Sequence, residues 1–310
     1  TTPGVGDYAL FGAGQCGNQT VSVSSANTVI GDPNDDTFGG AVYAGQHARF
    51  PNGGATVEGP VHTVGGGGGG SNIPAGTPWT DGYAAQPYPE PLVSLTYAQF
   101  ENLGNRNNSG VATGGPHGYS YVNYAGNSID VAALVADGWV EESLITPGIW
   151  EFTTSAVFIT DGEVVLDAGS ANDLLVTPSG IEVTFIAQND ISTFNTRLTG
   201  LYGPGPEWGP GMLFFAWGNG PGGECGNDFQ SGTTKGKGIK LNGSTQLGAE
   251  WTGIMFAPHG EVDATPRSGS TNDGPLIGYN ISLSGSDFTV GVSPDASFKP
   301  AKRVVLVDGS

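Results

Sequence analysis

Ile239-Lys-Leu-Asn-Gly-Ser244 returns as Ile281-Ser-Leu-Ser-Gly-Ser286, 42 residues later (281 − 239). In both copies apolar and polar residues alternate, and both close on Gly-Ser. Alternation with a period of two puts successive side chains on opposite faces of a strand. A repeat of tens of residues marks a stacked architecture, and a solenoid coil of about twenty residues fits twice into that offset. Trp251–Ala257, Gly260-Glu-Val262 and Pro275–Gly278 lie between the copies with similar texture. Near the start, Val21-Ser-Val-Ser24 followed by Val29-Ile-Gly31 has it too. The pattern predicts an all-β chain, a parallel β-helix or β-solenoid.

Composition supports this reading. Of 310 residues 54 are Gly and 21 are Pro, a Gly share of about 17% where roughly 7% is usual. Glycine has no G-X-Y period, which excludes collagen. At 37% hydrophobic and 10% aromatic, the chain has enough apolar surface to fold. No run of 18 apolar residues occurs, so no membrane-spanning helix is expected. A helical bundle is excluded, because glycine opposes helix. In a stacked coil each corner recurs in every turn, and Gly supplies positive φ or close approach there. Lys+Arg number 10 against 29 Asp+Glu, a net charge of −19. That balance argues against nucleic acid as a partner and against anionic lipid.

Short strands are expected at Val21–Val23, Val29–Ile30, Ala41–Tyr43, Ala55–Val57, Val61–Val64, Ile149–Phe152, Ala156–Ile159, Val164–Leu166, Leu174–Val176, Ile181–Ile186 and Met212–Trp217. Gly65–Gly70 reads as a loop, and the Pro- and aromatic-rich stretch 71–91 as an excursion over a surface. Leu92, Leu95, Phe100 and Leu103 predict a helix over 92–103, and 129–136 a second short one. The expected organisation is one solenoid domain, 1–310, with a loop-rich, partly helical insertion at about 65–145.

Tyr8-Ala-Leu-Phe11, Cys16 and Ser24–Gly31 resemble the opening of Tad-type pilus-associated (TadG-like) and pilus-assembly-like bacterial surface proteins. Pro147-Gly-Ile-Trp150, Ile181–Ile186, Gly253-Ile-Met-Phe-Ala-Pro-His-Gly260, Ile277–Ser286 and Arg303–Val307 continue the likeness across nearly the whole chain. The resemblance implies a right-handed parallel β-helix on a cell-surface or filament protein. Such relatives carry an N-terminal hydrophobic anchor, which this sequence lacks. Thr1-Thr-Pro3 therefore reads as a mature N-terminus, of a protein secreted after processing.

Cys16 and Cys225 form no C-x-x-C pair. Outside the cytoplasm a bond between them would close a loop of roughly 200 residues, worth about 4–5 kcal/mol in the chain-entropy model. Two buried free thiols are the alternative. Asp32, Asn34, Asp35 and Asp36 crowd oxygen ligands into one loop, a candidate calcium site without EF-hand spacing. A solvated acidic turn is the other reading, and no other cofactor is expected. His47, His62, His117 and His259 form no metal motif, and no G-x-S-x-G elbow occurs. Asp161 with Glu163, and Glu261 with Asp263, are carboxylates two apart on a strand, so each pair shares a face. An acid–base role for them in polysaccharide cleavage lacks basic partners, since Lys235, Lys237, Lys240, Lys302 and Arg303 are half the cations. Asn18, Asn107, Asn242 and Asn280 are glycosylation sequons.

The expected function is structural and non-enzymatic: an extracellular filament or pilus-like subunit that forms a head-to-tail homopolymer by strand pairing. Tyr8, Ala9, Leu10 and Phe11, or Val304, Val305, Leu306 and Val307, are the candidate strands for donation to a neighbour. A glycan-binding adhesin using Trp79, Tyr83 and Tyr88 is the alternative, and a β-helix polysaccharide lyase or hydrolase the third.

Overall fold

The computed structural model describes residues 7–14, 20–24, 27–31, 40–51, 54–65, 70–89, 92–115, 118–201, 211–218, 238–243, 248–267 and 269–292. Strands dominate, and nearly all pairings are parallel, in an 18-stranded and a 9-stranded sheet. Together they form three ladders of stacked rungs, a solenoid-like arrangement.

The first ladder runs Ser120–Asn123, Ala156–Thr160, Val183–Ala187, Met212–Ala216 and the first half of Ile254–Thr265. It continues through the first half of Leu276–Leu283 to Leu10–Gly12, Val42–Ala44, Val61–Thr63 and Trp79–Asp81. The second runs Ile129–Asp130, Val164–Asp167, Ile191–Phe194 and Ile239–Asn242, then the second halves of the two long strands. Val21–Val23, Ala48–Arg49 and Gly70–Ser71 complete it. The third holds Ile149–Phe152, Leu174–Val176, Thr196–Thr199, Glu250–Thr252, Ser270–Asp273, Phe288–Gly291, Val29–Ile30 and Thr56–Val57.

The repeat sits where its period requires. Ile239 stands beside Val262, and Val262 beside Ile281, so the 42-residue offset is two turns of the stack. Val21 lies next to Ile281 on the following rung, which explains the shared texture of the early block.

Spatial order departs from chain order at one place. Leu276–Leu283, near the end of the described chain, is followed by Leu10–Gly12 and Val21–Val23. The rungs built from residues 10–81 thus stack on the last C-terminal rung. The chain then returns along the outside, through 82–89 and 92–111, to the far end.

Two apolar layers result. Phe158, Phe185, Phe214, Met255, Leu276, Leu10, Val42 and Val61 are buried in the inner core. Their sequence neighbours Ile159, Ile186, Phe215, Phe256, Ile277, Phe11 and Tyr43 belong to a second cluster with Leu92, Leu95, Tyr97 and Phe100. The returning segment is therefore a strap over the outer face of the first ladder. This accounts for the unbroken apolar runs Ala156–Ile159 and Met212–Ala216, buried at every position: strands covered on both faces need no alternation. Among the described residues the second ladder has no such cover, and Ile239–Asn242 alternates buried and accessible residues.

Two corner columns use the backbone differently. Asn195, Gly248, Gly269, Asp287 and Asn27, each just before its third-ladder strand, all have φ between 50° and 80°. Asn, Asp and Gly are the residues that visit this left-handed region readily. At the other end of the third ladder, Gly253 and Gly274 have φ of 143° and 149°. A Cβ on Gly274 would lie 2.3 Å from the Gly253 carbonyl oxygen, so these rungs touch backbone to backbone. The repeat's own Gly285 serves close approach, a Cβ there lying 1.9 Å from the Pro266 oxygen.

The expected local elements take the following forms. The helix over 92–103 is two 3-10 turns, Leu92–Ser94 and Tyr97–Gln99. Thr96 is extended between them as the N-cap of the second turn, and its N–H donates to Gln99 Oε1 at 2.7 Å, the reach-back contact of a capping box that starts a new turn there. The apolar face is kept, with Leu92, Leu95 and Phe100 buried. The second helix forms as Val131–Ala136, N-capped by Asp130. Within the insertion expected at 65–145, Gly70–Ser71, Trp79–Asp81, Ser120–Asn123 and Ile129–Asp130 all join ladders. The residues that leave them are the strap.

Candidate functional site

The chain's two described extremes meet at a seam. Leu10, Phe11 and Gly12 pair with Leu276, Ile277 and Gly278 on one side and with Val42, Tyr43 and Ala44 on the other. Hydrogen bonds cross the seam from Ala13 N–H to the Gly278 carbonyl at 2.9 Å, from Gly31 N–H to Val290 at 2.7 Å and from Ile281 N–H to Thr20 at 2.8 Å. Tyr8, Ala9, Leu10 and Phe11 are 6% exposed or less. Donating this strand to a neighbour would first require freeing both of its edges and its buried side chains. Val304, Val305, Leu306 and Val307 lie outside the described residues.

The two ends of the stack differ. At one, the helix Val131–Ala136 buries Val131 and Leu134 against the core. There Ala112–Gly114 and Val140–Glu142 run antiparallel to the last rungs. At the other end Trp79 continues the inward column after Val61, yet it is 44% exposed.

The three candidate aromatics have different roles. Trp79 keeps its surface at the end of the stack. Tyr83 stacks on His62, with ring centres 4.2 Å apart. Tyr88 donates its hydroxyl to the Pro258 carbonyl at 2.7 Å, and its ring packs on Phe256 at 5.0 Å and Phe11 at 5.9 Å. Tyr83 and Tyr88 thus fasten the strap. Burial pushes the Tyr8 hydroxyl well above its ordinary value, with Tyr83 adding to the effect. Burial lowers the His62 imidazole, favouring its neutral form.

A groove of about 930 Å3 runs along the corner between the second and third ladders. Phe194, Asn242, Thr265 and Ser284 come from successive rungs along it, and rungs repeat at about 4.8 Å. Ala171, Gly243, Pro266, Arg267, Gly285 and Ser286 complete its lining. Both copies of the sequence repeat therefore contribute their closing residues. Thr265 Oγ1 donates to Asn242 Oδ1. Arg267 is exposed, and no ion pair among the described residues involves it. A row of hydroxyls and an amide beside one aromatic ring and one cation suits a polyhydroxylated chain. Sequence reading missed this groove: Asn242 appeared only within the repeat and as a sequon, and Phe194 not at all.

Asp161 belongs to the strap's anchorage. Arg106 Nη2 lies 2.9 Å from Asp161 Oδ2, and the Gly126 N–H donates to Oδ1 of the same carboxylate. Glu163 is exposed. Asp263 lies between Lys240 and Ser282 on adjacent rungs. Among the described residues no group of three His, Cys, Asp or Glu side chains could hold a metal ion. Asp32, Asn34, Asp35 and Asp36, both cysteines, Cys16 and Cys225, His117 and Asn18 lie outside the described residues. Of the other sequons Asn107 is exposed, Asn242 lines the groove and Asn280 has a buried Oδ1. No described helix is long and apolar enough to cross a membrane. Comparison with family models, with curated proteins and with solved structures returns no match for this chain.

Proposed function

We propose that the protein is a non-enzymatic structural component of an extracellular assembly, a filament or pilus-like subunit joined to its copies by strand pairing. The observation that carries this reading is the seam. Parallel pairing of Leu10–Gly12 on Leu276–Leu283 joins segments from opposite parts of the chain without covalent continuity, and a joint between subunits needs the same chemistry. The resemblance to pilus-associated surface proteins supports it. We read the stack as a closed β-helix, right-handed because parallel crossovers within a sheet take that hand almost without exception. Negative-stain imaging of purified protein tests the assembly: filaments are expected, and monomers at every concentration overturn it.

A second reading, a glycan-binding surface module, is favoured by the polar groove. Glycan-array binding lost on Phe194→Ala and Arg267→Ala, but kept on Tyr88→Phe, would support it.

A further inference from the structure

We infer that subunits join by exchanging residues 7–81 as a block across the seam, each block stacking on the Leu276–Leu283 rung of the next copy. This inference rests on the filament reading and specifies its joint.

Apart from the strap residues that pack on its outer face, Tyr83 on His62 and Tyr88 on Phe11, the block depends on the rest of the molecule through one face. Its rungs pair among themselves, Leu10–Gly12 with Val42–Ala44, Val61–Thr63 and Trp79–Asp81. Val21–Val23 likewise pairs with Ala48–Arg49, and Val29–Ile30 with Thr56–Val57. The remaining face of the block meets the rest of the molecule through Leu10 on Leu276, Val21 on Ile281 and Thr289 on Val29. The covalent link is the strap 82–111. Its roughly 30 residues could reach about 100 Å when extended, whereas ten rungs span about 45 Å. The linker is therefore long enough to serve a neighbouring body.

Exchange recreates the same seam between molecules and requires no new complementary surface. That matters for a chain with a net charge of −19, whose copies repel one another. Simple end-to-end stacking is the competing joint. It is obstructed at one end, where the helix Val131–Ala136 and the antiparallel strands Ala112–Gly114 and Val140–Glu142 interrupt the parallel rungs. Where each copy gives its block to one neighbour and receives a block from another, the contact is head-to-tail and can continue into a filament, whereas reciprocal exchange between two copies closes as a dimer.

Ser22 and Ser282 are register partners across the seam on the accessible outer face. Paired strands bring Cα atoms within disulfide range. In a Cys16→Ser, Cys225→Ser background, Ser22→Cys with Ser282→Cys, oxidised as dilute monomer, locks the block onto its own body. Val29→Cys with Thr289→Cys locks the same seam at the third ladder. Locked monomers should lose polymerisation at least tenfold by light scattering, and reduction should restore it. If either locked, folded monomer polymerises like the unlocked background protein, block exchange is overturned while the filament reading stands. If the unlocked protein never polymerises, the filament reading falls. The inference then falls with it if cross-links formed after refolding at high concentration are confined to monomers.

Discussion

Phe11 and Ile277 stand side by side on adjacent rungs although they come from opposite ends of the described chain. Both point outward into the cluster beneath the strap, while Leu10 and Leu276 point into the core. One register thus ties the N-terminal rungs, the C-terminal rung and the strap together.

Truncating that register should be costly. Leu10 is fully buried between Leu276 and Val42, so Leu10→Ala should lower stability by about 2–5 kcal/mol, read from denaturant melts. Deleting residues 1–11 should cost more, because it opens the stack in its middle. An unchanged midpoint for the deletion would show that the N-terminal rung does not sit between its two neighbours.

The corner columns predict opposite responses to substitution. At Gly274, with φ of 149° and the Gly253 oxygen 2.3 Å from a Cβ position, Ala should destabilise by about 1–3 kcal/mol or more. At Gly269, with φ of 80° and no atom within 4 Å of a Cβ, Asn should change stability by less than about 1 kcal/mol. Asn already occupies the equivalent corner at Asn195 and Asn27. Thermal melts of the two variants should separate clearly.

The strap should be releasable without dismantling the ladders. Phe100 is buried beneath it against Phe215, with centroids 5.3 Å apart. Phe100→Ala should weaken that cover by about 3–5 kcal/mol and open 82–111 to limited proteolysis. Tyr88→Phe removes one hydrogen bond and should cost about 1 kcal/mol. Equal protease resistance in both variants would argue against a packed strap.

His62 gives an acid response. Its imidazole lies below the ordinary 6.5, so the unfolded chain takes up the proton first as pH falls. The stability it supplies is full above about 6.5 and declines as pH drops through that value towards the lower folded one. The drop in melting temperature between pH 7.5 and 5 should therefore be smaller in His62→Phe, which keeps a ring against Tyr83. An identical drop in both proteins would remove His62 from the acid response.

Strands that alternate were legible in the sequence, because one face meets water and the pattern records it: Ile239–Asn242 and Val21–Val23 are examples. The groove was not, because Phe194, Asn242 and Ser284 are neighbours only through rung register. The helix expected at 92–103 shows the reverse case. Its apolar spacing reported burial correctly, but Thr96 took the backbone elsewhere.

By itself the sequence determined a β-rich stack with coils of about twenty residues around the repeat and glycine-bearing corners, since period, alternation and backbone freedom are local properties; elsewhere the coils are longer, 48 residues from Ile191 to Ile239 (239 − 191). Only the tertiary structure decided the order of the rungs and what covers their outer face. Parallel rungs pair through backbone groups that every residue carries, so nothing in Leu10–Gly12 names Leu276–Leu283 as its neighbour. The unbroken apolar run of Met212–Ala216 announced a cover, but only the path of 82–111 identified it.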